Sequence, residues 1–474
     1  MTAARDFTAA LGGILPAGGW TAHPDTLRRL SRDQAGILEP GHPAAAAFPT
    51  STDEVASVMK LASDCGVPIV PRGAGTGLAG GANAVDGCVV LSLERMNRLL
   101  ELDPADMVAV AEPGVITADL VRAADSVGLM YAPDPSSYEI STIGGNLATN
   151  AGGLRCIKYG VTRDSVLGLE VVLVDGTVIR TGHRSVKGVV GYDLTALFVG
   201  SEGTLGVITR AMLRLRPRPP ASATLVASFS TLVDLMRAVE AIRALGVTPS
   251  VLELMDRTVV NAVEDWRRPG LDRSAAGTLI MRSDSSAAEA ELAAVAGACR
   301  QAGCVEVLVS SDAVEAEALM DARRAALPAL ERRGRWMLED IAVPLGAVRE
   351  AVEEIQVVAN DYRVEIGTFG HVGDGNLHPT LVWAATDAEA ERRARDAAEA
   401  ILAMSLRLGG TVSGEHGVGV LKPAAAAGEL DRAALALARR IKDLVDPQGL
   451  LNPGKFPSSL APGRAQASPG ASLA

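Results

Sequence analysis

Aromatic residues are scarce in this 474-residue chain, 3% of positions, which leaves few flat platforms on which nucleobases could stack. Positive charge is also in deficit. Lys and Arg number 45 against 56 Asp and Glu, a formal charge of −11 that repels phosphate backbones and anionic lipid surfaces, so nucleic acid is not expected as a partner. Cysteine stands only at 65, 88, 156, 299 and 304, an odd set without a Cys-x-x-Cys pair. That argues against a disulfide framework or a four-cysteine metal or iron–sulfur site, and suits a reducing, cytoplasmic compartment. Runs of about 18 or more apolar residues are missing, so no membrane span is expected, while docking at the periphery of a membrane through a partner stays allowed. Arg5-Asp6 and Pro16 make the N-terminal stretch an ordinary first helix rather than a signal peptide.

What is present is a large apolar fraction, 48% against 21% charged, in a chain longer than one core usually organises; two domains and a C-terminal extension are expected. Ser51 with Glu54 forms a capping box opening a helix of about four turns that Gly66 stops. Strands are expected at 67–70, 88–93, 108–111 and 167–174, with a Thr117-capped helix at 118–127 and a glycine-rich loop at 140–154. Pro217, Pro219 and Pro220 mark a boundary. Beyond it strands (223–229, 278–282, 305–309) alternate with amphipathic helices (231–244, 286–302, 312–330), as in a second α+β domain. A helix at 431–446 precedes a tail, 458–474, whose composition predicts disorder. No repeat of fixed period occurs.

Glycine is in excess: 49 residues, about 10% against a usual 7%, clustered at 73–81, 144–153 and 409–419. Gly75-Thr-Gly77-Leu-Ala-Gly80 follows a strand and matches G-x-G-x-x-G, with Glu94 at the next strand's end. A Rossmann turn must open a crossover helix, and 81–87, with its Asp86-Gly87 turn pair, leaves no room for one. The remaining reading is an anion nest, in which glycines at positive φ aim successive N–H groups at a pyrophosphate. A tight structural turn is the alternative.

Pro71-Arg-Gly-Ala-Gly-Thr-Gly-Leu-Ala-Gly-Gly81 resembles the pyrophosphate loop of FAD-linked oxidases of the vanillyl-alcohol-oxidase fold. Pro133-Asp-Pro-Ser-Ser137, the tract from Thr142 to Gly153, Lys158-Tyr-Gly160 and Gly200-Ser-Glu-Gly-Thr-Leu-Gly-Val-Ile208 follow in the family's order. With C-terminal motifs including Leu451-Asn-Pro-Gly-Lys-Phe456 they cover residues 45–456 and resemble the glycolate oxidase, D-lactate and D-2-hydroxyglutarate dehydrogenase branch. The resemblance implies that Arg72, Gly73, Ala74, Gly75, Thr76 and Gly77 line the FAD pyrophosphate. Pro133, Ser137, Gly144, Gly145, Asn150 and Gly152 would then approach the ribityl chain and isoalloxazine, Glu202 and Ile208 the adenine side, and Asn452 would join the cofactor site. Glycine pairs let main-chain donors touch a flat ring that any Cβ would push away, which supports 144–153 independently. Some relatives attach FAD through a histidine beside the pyrophosphate loop. None lies within 43–182, so non-covalent FAD is expected.

Three of the six histidines fall in two glycine-rich stretches. Phe369-Gly-His-Val372, Gly373-Asp-Gly-Asn376 and Leu377-His-Pro-Thr380 read as strand, four-residue loop, strand, which places His371 directly opposite His378, with Cβ atoms about 5 Å apart. Two imidazoles that close suit one divalent metal, and Ser413-Gly-Glu-His-Gly-Val-Gly419 offers Glu415 as third ligand with a position left open. Zn is the expected ion, with Mn or Fe as alternatives. Ordinary hydrogen-bonded core histidines, or a surface turn at 415–416, are the competing readings. In the resembled dehydrogenases these motifs supply metal ligands and base, implying His371, His378 and Glu415 as ligands and His416 as base. Gly414 and Gly417 permit a turn that brings both 415 and 416 to one cavity.

The resemblance also implies Arg323 as the fork for a substrate carboxylate, with Arg324 beside it as a rival. Leu327, Leu338 and Thr380 stand where the hydroxyglutarate enzymes carry Thr, Lys and Asn, which favours a smaller or more apolar D-2-hydroxyacid, lactate- or glycolate-like. The expected fold class is α+β. A two-subdomain FAD-binding domain of vanillyl-alcohol-oxidase type would occupy 1–220, and an α+β substrate domain with an antiparallel sheet 221–425. Residues 426–457 would return to the FAD domain. Electrons would pass to an acceptor protein or quinone, and a homodimer is allowed. The rival readings are a flavin subunit of a multi-subunit glycolate oxidase complex, an alkyl-glycerone-phosphate-synthase-like non-redox flavoenzyme, and a plain His₂Glu hydrolase.

Overall fold

A computed structural model describes residues 2–220 and 222–457; the tail at 458–474 lies outside them. Half of the expected capping box forms: Ser51 Oγ accepts the Glu54 N–H at 3.2 Å, while the Glu54 carboxylate takes the Thr50 N–H rather than that of Ser51, and Gly66 at φ 66° closes the helix Thr52–Cys65. Val55, Val58, Met59 and Ala62 on its buried face pack against a small sheet. In it Ala45–Ala47 and Ile69–Arg72 both run parallel to Val89–Ser92 between them. A second, antiparallel sheet takes the order Leu99–Asp103, Val108–Ala111, Val207–Arg214, Val166–Val172, Val178–Gly182.

The third sheet has eight strands and is antiparallel throughout. From one edge its order is Cys304–Ser310, Ala223–Phe229, Gly277–Ser283, Val251–Asp256, Glu365–His371, Asn376–Trp383, Arg335–Leu338, with Ile341–Ala342 also on Asn376–Trp383. The period-two rule divides each strand between two cores. Leu252 and Leu254 face one core with the helices Leu232–Ala244, Ala288–Gln301, Val348–Tyr362 and Ala388–Arg407. Val251, Met255, Phe369 and Val382 face the other, with Arg257–Trp266 and Ala326–Glu331. By the same parity Glu253, His371 and His378 lie on this second face.

The last helix, Arg432–Val445, leads the chain back to the first sheet. Ile69 bridges Leu451, Asn452 N donates to Ile69 O at 2.8 Å, and the buried Lys442 ammonium donates to Thr204 O and Leu451 O. Among the described residues no helix is long and apolar enough to cross a membrane.

Four local expectations change. Segment 140–154 is not all loop, because Thr142 Oγ1 accepts the Gly145 N–H and opens a helix, Ile143–Thr149, that Asn150 ends at φ 53°. Thr117 is the first helical residue rather than the cap; its hydroxyl turns to Ser141 O at 3.1 Å. The helix expected at 312–330 is two, Ala313–Arg324 and Ala326–Glu331, since Pro328 has no N–H to continue the ladder. The strand Val251–Asp256 and helix Arg257–Trp266 were not foreseen.

Candidate functional site

The strand Ile69–Arg72 delivers the glycine loop to the edge of a cleft enclosing about 1430 Å³, its open mouth included. Close approach explains the glycines: a Cβ on Gly73 would lie 2.4 Å from Thr142 Oγ1, and one on Gly144 2.6 Å from Pro113 Cβ. Arg72, Gly73, Ala74, Gly75, Thr76 and Gly77 line the cleft, as do Ser137, Gly144, Gly145, Gly152, Glu202 and Ile208. Pro133, Asn150 and Asn452 do not line it. Pro133 is buried, Asn150 Oδ1 accepts the Arg163 N–H, and Asn452 braces the walls from behind through Gly81 O and Glu202 O. Arg72 is 7% exposed, and its Nη1 has no hydrogen-bond partner among the described residues. Burial lowers its pKa, against the nearby Asp33 carboxylate. A buried, unpaired guanidinium nitrogen beside a glycine cradle fits a pyrophosphate.

Glu415 and His416 also line the cleft. A Cβ on Gly152 would fall 2.2 Å from Glu415 Oε2, so the glycine tract touches this acid directly. Glu415 Oε1 lies 3.2 Å from His378 Nε2, 3.4 Å from His371 Nε2 and 3.7 Å from His416 Nε2. Three imidazoles thus turn the same nitrogen toward one carboxylate oxygen. His371 does not sit opposite His378 as expected: it pairs with Asn376, and His378 pairs with Phe369. The four-residue loop is 372–375 rather than 373–376, one residue earlier, leaving the histidines diagonal on one face with ring centroids 5.1 Å apart. The donor atoms of His371, His378 and Glu415 lie within 4.8 Å of one another, a set whose chemistry fits a divalent ion.

Charge is divided unevenly over this centre. Burial, reinforced by His416 and His371 and opposed by Glu415, pushes His378 down to about 4, which keeps its ring neutral. Burial also disfavours a charged His371, but Glu253 and Glu415 outweigh it and hold this histidine well above its usual range. Burial would raise Glu415; the hydrogen bonds of His371 and His378 and the charge of His371 hold it well below the usual carboxylate range.

Two acids escaped the sequence reading. Asp340 Oδ2 accepts the N–H groups of both Glu415 and His416 at 2.8 Å and the Ser413 hydroxyl at 3.1 Å. Collecting consecutive N–H groups on one oxygen folds the chain so that neighbouring residues share a cavity, with Gly417 at φ 86° completing the bend. Asp340 Oδ1 is held by Asn376 Nδ2, and the His378 and His416 Nδ1 atoms approach Asp340 at 3.5 and 3.9 Å. Glu253 Oε1 lies 2.6 Å from His371 Nδ1. The available signal was an acid inside each of two apolar runs, Val-Leu-Glu-Leu-Met and Met-Leu-Glu-Asp-Ile.

Arg323 does not line the cleft. It is 3% exposed, with Nε and Nη2 both 2.7 Å from Glu253 Oε2. Arg324 pairs with Glu317 and Asp321 instead. Leu327, one turn on, is the residue of this stretch that reaches the cleft wall.

Comparison with known proteins agrees with this architecture. Residues 218–456 match the FAD linked oxidases, C-terminal domain, and residues 43–182 an FAD binding domain. The chain is 42% identical over 417 residues to the glycolate oxidase subunit GlcD of Bacillus subtilis, covering 87% of this chain and 89% of that protein. It is 36% identical over 413 residues to a D-lactate dehydrogenase of Archaeoglobus fulgidus, covering 86% and 90%. The structure of p-cresol methylhydroxylase superposes with a TM-score of 0.79 at 19% identity, over 96% of both chains, which shows a shared fold. This chain therefore belongs to the FAD-linked oxidase family, with the α+β fold of that family and an FAD-binding domain.

Proposed function

We propose that the protein oxidises a D-2-hydroxyacid to the 2-oxoacid at the junction of the cleft and the three-histidine centre. The FAD-binding part would be 1–220 and the substrate part 221–425, with 426–457 returning to the first. The observation that carries the reading is that Glu415 and His416 line the same cleft as the glycine loop, with Gly152 against Glu415, so a flat cofactor and an acid–base centre share one cavity. When bound, FAD supplies a hydride acceptor at N5, and a divalent ion at His371, His378 and Glu415, Zn with Mn or Fe as alternatives, supplies Lewis acidity to the 2-hydroxyl. His416 Nε2 takes the hydroxyl proton as the Cα–H bond is broken. Glu415, as an anion, and His378, as a neutral ring, would hold the ion. Gly152 lets the acid stand against the cofactor cleft.

Leu327 in the cleft wall offers nothing to a second carboxylate, which supports a lactate- or glycolate-like substrate over 2-hydroxyglutarate. Three relatives carry the name of a glycolate oxidase subunit, and this chain has no cysteine motif for an iron–sulfur cluster, so electrons pass onward to a partner protein or quinone. The test is anaerobic bleaching of the flavin by a panel of D- and L-2-hydroxyacids before and after chelation. Bleaching by small D-acids that chelation abolishes is expected. A flavin that no 2-hydroxyacid reduces would refute the reading.

A further inference from the structure

Behind the imidazoles lies a buried ion pair that the proposed chemistry leaves unused. Arg323 places two nitrogens on one oxygen of Glu253, and the other oxygen of Glu253 faces His371 Nδ1. The three side chains are 4%, 0% and 7% exposed, and the Phe369 ring flanks the guanidinium at 4.7 Å. The arrangement is directional. With Oε2 taken by the arginine, Oε1 is turned to the histidine, and an Nδ1–H held by that carboxylate leaves Nε2 as the ring atom through which His371 can bind a cation. Nε2 of His371 is the atom that faces Glu415. A buried carboxylate needs a counter-charge, and Arg323 supplies it from the side away from the ring.

We propose that Arg323 and Glu253 are positioning residues: together they fix the orientation and tautomer of His371 and so set how tightly His371, His378 and Glu415 hold a divalent cation. The inference rests on the metal reading above, and it gives Arg323 a task other than the carboxylate fork that the family resemblance implies. Outer partners of ligating histidines typically change metal affinity by about 10–100-fold when removed.

The experiment measures Zn²⁺ affinity of the full-length, FAD-loaded protein by competition with a chromophoric chelator. Glu253→Ala alone would strand a buried arginine, so the pair is removed together. Glu253→Ala with Arg323→Met lacks both the charge and the acceptor; Glu253→Gln with Arg323→Met keeps an acceptor oxygen for Nδ1–H. The first is expected to bind Zn²⁺ about 10–100-fold more weakly than wild type and the second to lose less. Both should keep their FAD. Asp256→Asn, on the same strand with its oxygens on Val259 N and Thr368 N, should leave Zn²⁺ affinity unchanged. Equal weakening of the two double variants, or affinities within about twofold of wild type, overturns the proposal. His371→Ala separates the two readings. Loss of Zn²⁺ there, with retention in the double variants, defeats this inference alone, whereas retention by His371→Ala defeats the metal reading and this inference with it.

Discussion

Gly152→Ala probes the contact between cofactor cleft and acid centre with a single methyl group. Its Cβ would stand 2.2 Å from Glu415 Oε2 and 3.3 Å from Cys156 Sγ. A carbon–oxygen contact settles near about 3.3 Å, so the carboxylate must retreat by about 1 Å. The other oxygen, Glu415 Oε1, stands 3.2 Å from His378 Nε2 and 3.4 Å from His371 Nε2, and a shift of the whole carboxylate by about 1 Å takes it beyond hydrogen-bond range of both. Charge-assisted bonds contribute about 1.5–3 kcal/mol each, so losing one at the weak end costs about tenfold and losing both about a hundredfold. Anaerobic stopped-flow reduction of the flavin by D-lactate should slow by that range while the cleft, whose other walls are unaltered, keeps its FAD. Released flavin is counted after denaturation to check this. A variant that holds its flavin and is reduced within about twofold of the wild-type rate would refute the claim that Glu415 must stand where the glycine lets it.

Two further substitutions follow from buried cations. Arg72→Gln removes an unpaired guanidinium nitrogen at the glycine loop, and the Kd for FAD, read by flavin fluorescence, should rise about 10–100-fold, worth ~1.5–3 kcal/mol; an unchanged Kd would remove Arg72 from pyrophosphate binding. Lys455, 1% exposed, is pushed down to about 8 by burial, against the pull of Cys88, Asp33 and Glu202. Between about pH 10.5 and 8 the unfolded chain takes up a proton that the folded chain refuses, so wild type loses stability relative to Lys455→Met as pH falls through that window. The difference should change by ~3 kcal/mol in urea titrations, at about 1.4 kcal/mol per pKa unit. A pH-independent difference would contradict it.

The parts of the site legible in the sequence were those set by local rules. Side-chain alternation put His371 and His378 on one face, even though Gly375 at φ 94° lets the hairpin turn one residue earlier than the glycine spacing suggested. The glycine loop was legible because no crossover helix fits after it. The helix Ile143–Thr149 was hidden by its own composition: glycine reads as loop, but here packing overrides propensity, as the place of Gly144 against Pro113 shows. Glu253 and Asp340 were illegible for a different reason. Each acts across a gap in sequence, 118 residues to His371 and 75 to Glu415, and no local pattern encodes a partner that distant. Arg323 marks the limit of motif transfer, since its place in the sequence was readable but the acid that receives it was not.

In the proposed reaction the flavin cleft and the histidine centre act on the same substrate molecule. Single-turnover flavin reduction in His416→Ala tests it most directly. The expected product is a yellow protein with one FAD per chain whose flavin stays oxidised under a D-2-hydroxyacid that bleaches the wild type. Bleaching at the wild-type rate would contradict it.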